Sequence, residues 1–131
     1  GHVLREGSDV ALLACGVLVG EAMTAADALS TDGIEVTVVD MHTIKPLDSA
    51  LVQKLATDCG ALVTAEDHSM IGGLGGAVAE LLAANCPVPL ERVGVNDTFG
   101  ESGDGDELLD KYGLSSEHII SAARRAIARK A

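Results

Sequence analysis

The chain has no tryptophan, and in 131 residues its only aromatic side chains are Phe99 and Tyr112. So few rings leave no stacking platform for nucleic-acid bases. Basic residues are also scarce, 9 against 20 acidic ones, and the formal net charge of −11 repels phosphate backbones and anionic membranes. Neither nucleic acid nor a membrane surface is expected as a partner. The three cysteines, Cys15, Cys59 and Cys86, are odd in number, far apart and never in a Cys-x-x-Cys pair, which excludes a disulfide framework or a zinc site and leaves small core residues. The four histidines are dispersed, none with a second ligand at helical spacing, so no metal site is expected. No apolar run reaches the roughly 18 residues of a membrane span, and no charged-then-apolar signal segment opens the chain. The expected setting is soluble and cytoplasmic. The first residue is glycine, and Gly1-His2 reads as a cloning remnant or a cut inside a longer protein.

Ala, Val, Leu and Ile are abundant, a composition that suits buried parallel strands under Ala-rich helices. "VLRE" forms a short strand, and Asp9 to Cys15, "DVALLAC", is a continuous apolar run typical of a strand buried on both faces. Leu18, Ala22, Ala25 and Leu29 recur at helical spacing up to "STDG", where Gly33 supplies positive φ. Ile34 to Asp40 gives the next strand, Pro46 interrupts, and Asp48 is placed to cap a helix over 49–57. Ala61 to Ala65 is another parallel-type strand, followed by a helix whose apolar stripe is Leu74, Val78, Leu81 and Leu82. Leu90 to Val95 is the last strand. A Gly- and Asp-rich loop, a short helix over Glu107 to Tyr112, a stop at Gly113 and a helix after Ser115 complete the chain. Arg124, Arg125, Arg129 and Lys130 stand in the last turns of that helix and are expected to complement its dipole. Strands alternating with helices predict one domain over residues 1–131, a three-layer, mostly parallel sheet with right-handed crossovers.

The stretch "VTAEDHSMIGGLGGAVAE", Val63 to Glu80, concentrates the chemical candidates. Glu66, Asp67 and His68 fall just past the end of a predicted central strand, where open α/β sheets place their ligands. Two carboxylates beside one His also suit a hydrogen-bond network that organises a loop, and the spacing leaves both readings open. The glycines from Gly72 and Gly73 onward match a dinucleotide fingerprint only loosely, since Val78 stands where Gly or Ala is required. They leave free amides at a helix start for an anion, or a close approach of helix to strand; Gly73 is the residue expected to need positive φ or that close approach. Gly100 to Gly103, "GESG", is one residue short of a nucleophile elbow and lies outside a strand-to-helix turn.

Taken together, "DVALLACGVLVGEAMTAADAL", "IEVTVVDMHTIKPLD", "LVTAEDHSMIGGLGGAVAELL" and "GVNDTFGESG…ELLDKYGLSSEHII" resemble the C-terminal domain of the transketolase family, in order and over nearly the whole chain. Thr43-Ile44-Lys45-Pro46-Leu47-Asp48 and Glu66-Asp67-His68 with Gly72-Gly73 are similar to its recurrent signatures. The resemblance implies an α/β/α three-layer sandwich on a five-stranded mixed sheet, mostly parallel, with "VLRE" as antiparallel edge strand. It further implies a parent enzyme in which thiamine diphosphate and Mg²⁺ sit between a diphosphate-binding and a pyrimidine-binding domain of the same chain or a companion subunit. The parent implied by the family is a homodimer that transfers two-carbon ketol units between sugar phosphates, and this domain alone is expected to bind neither cofactor nor metal. Gly103-Asp104-Gly105 opens like the family's cofactor motif, but no Asn follows Asn96, so the triplet reads as a turn. No catalytic role is carried onto Glu66, Asp67 or His68, which with Gly72 and Gly73 are expected to organise the loop, an interface or an anion contact. Two alternatives stay open: a stand-alone regulatory module binding a nucleotide or phosphate at the glycine loop, and the partner-docking domain of a 2-oxo acid dehydrogenase β subunit.

Overall fold

The structure, a computed structural model, describes residues 1–42, 47–69, 73–95 and 115–130, without the side chains of 67–69 and 95. Five strands, β1 (His2–Arg5), β2 (Val10–Ala14), β3 (Val36–Asp40), β4 (Leu62–Ser69) and β5 (Leu90–Val95), form one sheet in the order β1-β3-β2-β4-β5. β1 runs antiparallel to β3 at the edge, and the remaining pairs are parallel. The helices are α1 (Leu18–Thr31), α2 (Ser49–Cys59), α3 (Leu74–Asn85) and α4 (Ser116–Ala128). The mixed, three-layer sandwich expected from the sequence is the one observed. The expected short helix over 107–112, the Gly103–Gly105 turn and the Gly100–Gly103 stretch lie outside the described residues.

The period of two along each strand sorts the core into two slabs. Val10, Leu12 and Ala14 of β2 face α1 and α4, while Ala11, Leu13 and the following Cys15 face α2 and α3. All five residues of β2 are 0% exposed, which is why the run is apolar without alternation. The direction of travel across the sheet reverses between the β2-to-β3 and β3-to-β4 connections. A constant crossover hand then requires the helices to change face, and α1 and α2 do lie on opposite faces.

Local signals place the ends of the helices. Gly33 and Gly60 adopt φ of 80° and 70°, the left-handed conformation that ends a helix at little cost for glycine. Asp48 caps α2, its Oδ1 accepting from the Leu51 amide at 3.3 Å, and a hydrogen bond from the terminal amine followed by that of Leu51 holds its carboxyl below the usual value. The loop between β1 and β2 is pinned by a long-range lock. The Thr37 hydroxyl accepts from Gly7 N–H at 2.8 Å and donates to Gly7 C=O at 2.6 Å. A Cβ on Gly7 would fall 2.3 Å from the Val36 nitrogen, so only glycine passes there.

One expectation is corrected and another extended. Leu81 is only partly buried at the margin of the α3 slab, whereas Leu74, Val78 and Leu82 are its core; four stripe positions span more arc than the sheet covers. The basic residues of α4 do more than face its dipole: Arg124 pairs with Asp32 at the end of α1, and Arg125 Nε and Arg129 Nη1 reach Glu91 of β5 at 2.9 and 2.6 Å. These long-range pairs fasten α4 to its neighbours.

Leu82→Ala should cost about 2–5 kcal/mol through the cavity it leaves, and Leu81→Ala less than about 2 kcal/mol; urea denaturation of both variants measures the difference. Partial burial opposes the charge on Glu91, but hydrogen bonds and attraction from Arg125 and Arg129 outweigh it and lower its pKa. A depressed carboxylate stabilises the fold above its unfolded pKa and loses that contribution as pH falls through the folded one. Arg129→Gln should therefore lower stability at neutral pH more than at pH ~3, and should raise the Glu91 pKa read by NMR titration.

Candidate functional site

The strand order reverses direction between β2 and β4, so the crevice beyond their C-terminal ends is the switch point at which open α/β sheets receive ligands. β2 ends there at Ala14 and continues through Cys15 to Gly16, whose φ of 65° turns the chain into α1. β4 pairs with β2 up to Ala65, and Cys15 N–H extends the ladder to the Ala65 carbonyl at 3.1 Å.

β4 does not stop at Ala65 as expected. It continues through Glu66, Asp67 and His68 to Ser69. Its register against β5 passes from Ala65 opposite Val93 to Ser69 opposite Val95, four steps on one strand against two on the other. This is a bulge, a device that re-aims side chains at the end of a sheet. Glu66 therefore lies within the strand rather than past its end, and its side chain continues the Leu62, Thr64 face toward α2 and α3.

Glu66 is 1% exposed, and its two carboxylate oxygens are both engaged. Oε1 accepts from Leu74 N–H at 3.1 Å and Oε2 from Gly75 N–H at 2.7 Å. Leu74 and Gly75 are the first two residues of α3, so these are amides that no carbonyl inside the helix can satisfy. A carboxylate there gains two charge-assisted hydrogen bonds and the favourable end of the helix dipole, which offsets its removal from water. The position suspected of cradling an outside anion thus holds an anion of the chain's own.

The other candidates separate. Gly73 is the N-cap of α3 in extended backbone, φ −93° and ψ −159°, a conformation any residue adopts, so the expected need for positive φ is overturned. A close approach is found two residues later. Gly75 is buried, and a Cβ there would stand 2.6 Å from Arg92 Nε and 3.1 Å from Thr64 Oγ1. Gly72 and the side chains of Asp67 and His68 lie outside the described residues. Thr64 and Arg92 were not singled out by the sequence; the available signal was a lone polar residue inside the apolar run "ALVTA".

Residues 1–119 match the family described as transketolase, C-terminal domain. The chain belongs to that family. As a transketolase C-terminal domain it is 52% identical over 128 residues to the 6-deoxy-6-sulfo-D-fructose transketolase subunit SqwH of Clostridium sp. strain MSTE9, covering 98% of this chain and 40% of that protein. It is 40% identical over 127 residues to the 1-deoxy-D-xylulose-5-phosphate synthase of Heliobacterium modesticaldum, covering 95% of this chain and 19% of that one. A split-gene transketolase solved as an inactive beta4 tetramer superposes with a TM-score of 0.94 at 47% identity, over 98% of this chain and 42% of that chain. The Pichia stipitis transketolase mutant R525L shares the fold, with a TM-score of 0.69 at 19% identity over 96% of this chain and 18% of that one. The domain spans two-fifths or less of the curated relatives it matches.

Gly75→Val should cost at least about 2 kcal/mol, because its side chain would be driven into Thr64 and Arg92. Gly73→Ser should stay within about 1 kcal/mol of wild type, since serine suits an N-cap in extended conformation. Paired thermal melts check the order, which inverts if Gly73 is the constrained position.

Proposed function

We propose that residues 1–131 act as one C-terminal domain of a transketolase-type, thiamine diphosphate-dependent enzyme that moves two-carbon ketol units between sugar phosphates. The domain contributes interdomain or subunit surface and no reacting group. The parent is a cytoplasmic homodimer whose pyrimidine-binding and diphosphate-binding domains, in the same chain or a companion subunit, hold thiamine diphosphate and Mg²⁺. When bound there, that cofactor supplies the electron sink for carbon–carbon cleavage.

One observation carries this reading beyond family membership: Glu66 consumes the Leu74 and Gly75 amides with both of its oxygens. A diphosphate does not fit at this helix start, where it would meet a buried carboxylate in place of free donors. Among the described residues no group of three or more His, Cys, Asp and Glu side chains converges as metal ligands. The same occupied amides weigh against a regulatory nucleotide or phosphate module at the glycine loop. The relatives favour a transketolase-type parent over a 2-oxo acid dehydrogenase β subunit. Their names carry different sugar substrates on a shared domain, which supports substrate choice residing in the companion domains. Asp67, His68, Gly72 and Gly73 are assigned to the interface with those domains.

The test is calorimetry of the purified chain with thiamine diphosphate and Mg²⁺, and separately with nucleotides and sugar phosphates, followed by ketol-transfer assays with and without the companion domains. No saturable heat and activity only on recombination are expected. Saturable cofactor binding or turnover by this chain alone overturns the proposal, and saturable nucleotide binding supports the regulatory module instead.

A further inference from the structure

Anion sites at a switch point are built from backbone amides at a helix start, where a soluble phosphate or carboxylate supplies the missing acceptors. Here the acceptor comes from the sheet, eight residues upstream of Leu74, unlike an ordinary cap contributed by the residue before the helix. Two neighbours pack against Gly75. Thr64, two residues earlier on the same face of β4, is 1% exposed. Its hydroxyl makes no hydrogen bond among the described residues and stands 3.1 Å from the Cβ position of Gly75. Arg92 of β5 crosses the same residue, its Nε 2.6 Å from that position, and so places a cation beside the first turn of α3. The absent side chain of Gly75 leaves room for both.

We propose that the Leu74 and Gly75 amides, with the Thr64 hydroxyl and Arg92 beside them, form an oxyanion receptor sized for a carboxylate, that Glu66 is its resident ligand tethered by its own strand, and that the wild-type domain is closed to soluble anions for that reason. The inference rests on this geometry and holds whichever enzyme the domain serves.

Glu66→Ala removes Cγ and the carboxyl group, the heavy atoms of one acetate ion, and leaves the receptor in place. The variant should melt roughly 5–15 °C below wild type because two buried amides lose their acceptors. Acetate at about 0.1 M should restore half or more of that loss in a saturable way, formate should restore less and bulkier pivalate none, while sodium chloride of equal ionic strength has no such effect. Wild type should not respond to acetate beyond the chloride control. Glu66→Gln fills the space with a side chain carrying one acceptor in place of two, and should be destabilised yet insensitive to acetate. If Glu66→Ala does not fold in chloride, refolding from urea in acetate replaces the melt, and recovery of the far-UV spectrum only in acetate supports the receptor. An unchanged melting point for Glu66→Ala, rescue no greater than with chloride, failure to refold in acetate as well as in chloride, or equal acetate stabilisation of wild type each overturns it.

Discussion

Most of the molecule follows from the need to cover β2 on both faces. A central strand with every side chain at 0% exposure cannot exist without a helical layer above and below, and each layer needs an apolar stripe matched to the pleat. The small side chains follow from the same need: Ala22, Ala25, Ala26, Ala122, Ala123 and Ala126 are all fully buried. They let α1 and α4 lie close to the sheet and to each other without bulky aromatic side chains. A core of this kind gains its stability from many close contacts, so its tolerance for a misplaced methylene is small.

The parts of the fold legible in the sequence are those with local causes. β2, β3 and β5 are short apolar runs between breakers, Gly33 ends α1, and Asp48 begins α2, each by chemistry within a few residues. The extension of β4 through Glu66 was not legible, because a carboxylate at the end of an apolar run reads as a loop until its partners are known. Those partners, the amides of Leu74 and Gly75, lie beyond the glycine stretch. Among the glycines, residue type alone does not distinguish a relaxed cap from a close crossing; Thr64 and Arg92 impose that at Gly75. The pairs of Arg125 and Arg129 with Glu91 span more than thirty residues, so only the helix-dipole reading was available from spacing.

The family assignment and the site geometry bear on each other. A three-layer sheet with glycines at its switch point resembles a ligand-binding domain in outline, and fold-level likeness alone does not decide between binding and scaffolding. One side chain bears on that choice. With Glu66 seated on α3, the Leu74 and Gly75 amides are already used, which supports the proposed role in assembly. The bulge that carries Glu66 is then a structural joint within β4, between the Leu62–Ala65 run and the Asp67–Ser69 end of the strand.

Cys59 sits under the loop that Thr37 and Gly7 lock to the sheet. Its thiol is 3% exposed, donates to the Gly7 carbonyl at 3.4 Å, and has its pKa raised chiefly by burial. A thiolate is the reactive form, so in the closed state Cys59 is both hidden from a reagent and protonated against it. Attack by a thiol reagent requires a local opening that uncovers Cys59. The rate of that reaction at Cys59 is then a clock on a local opening event around the Gly7 loop.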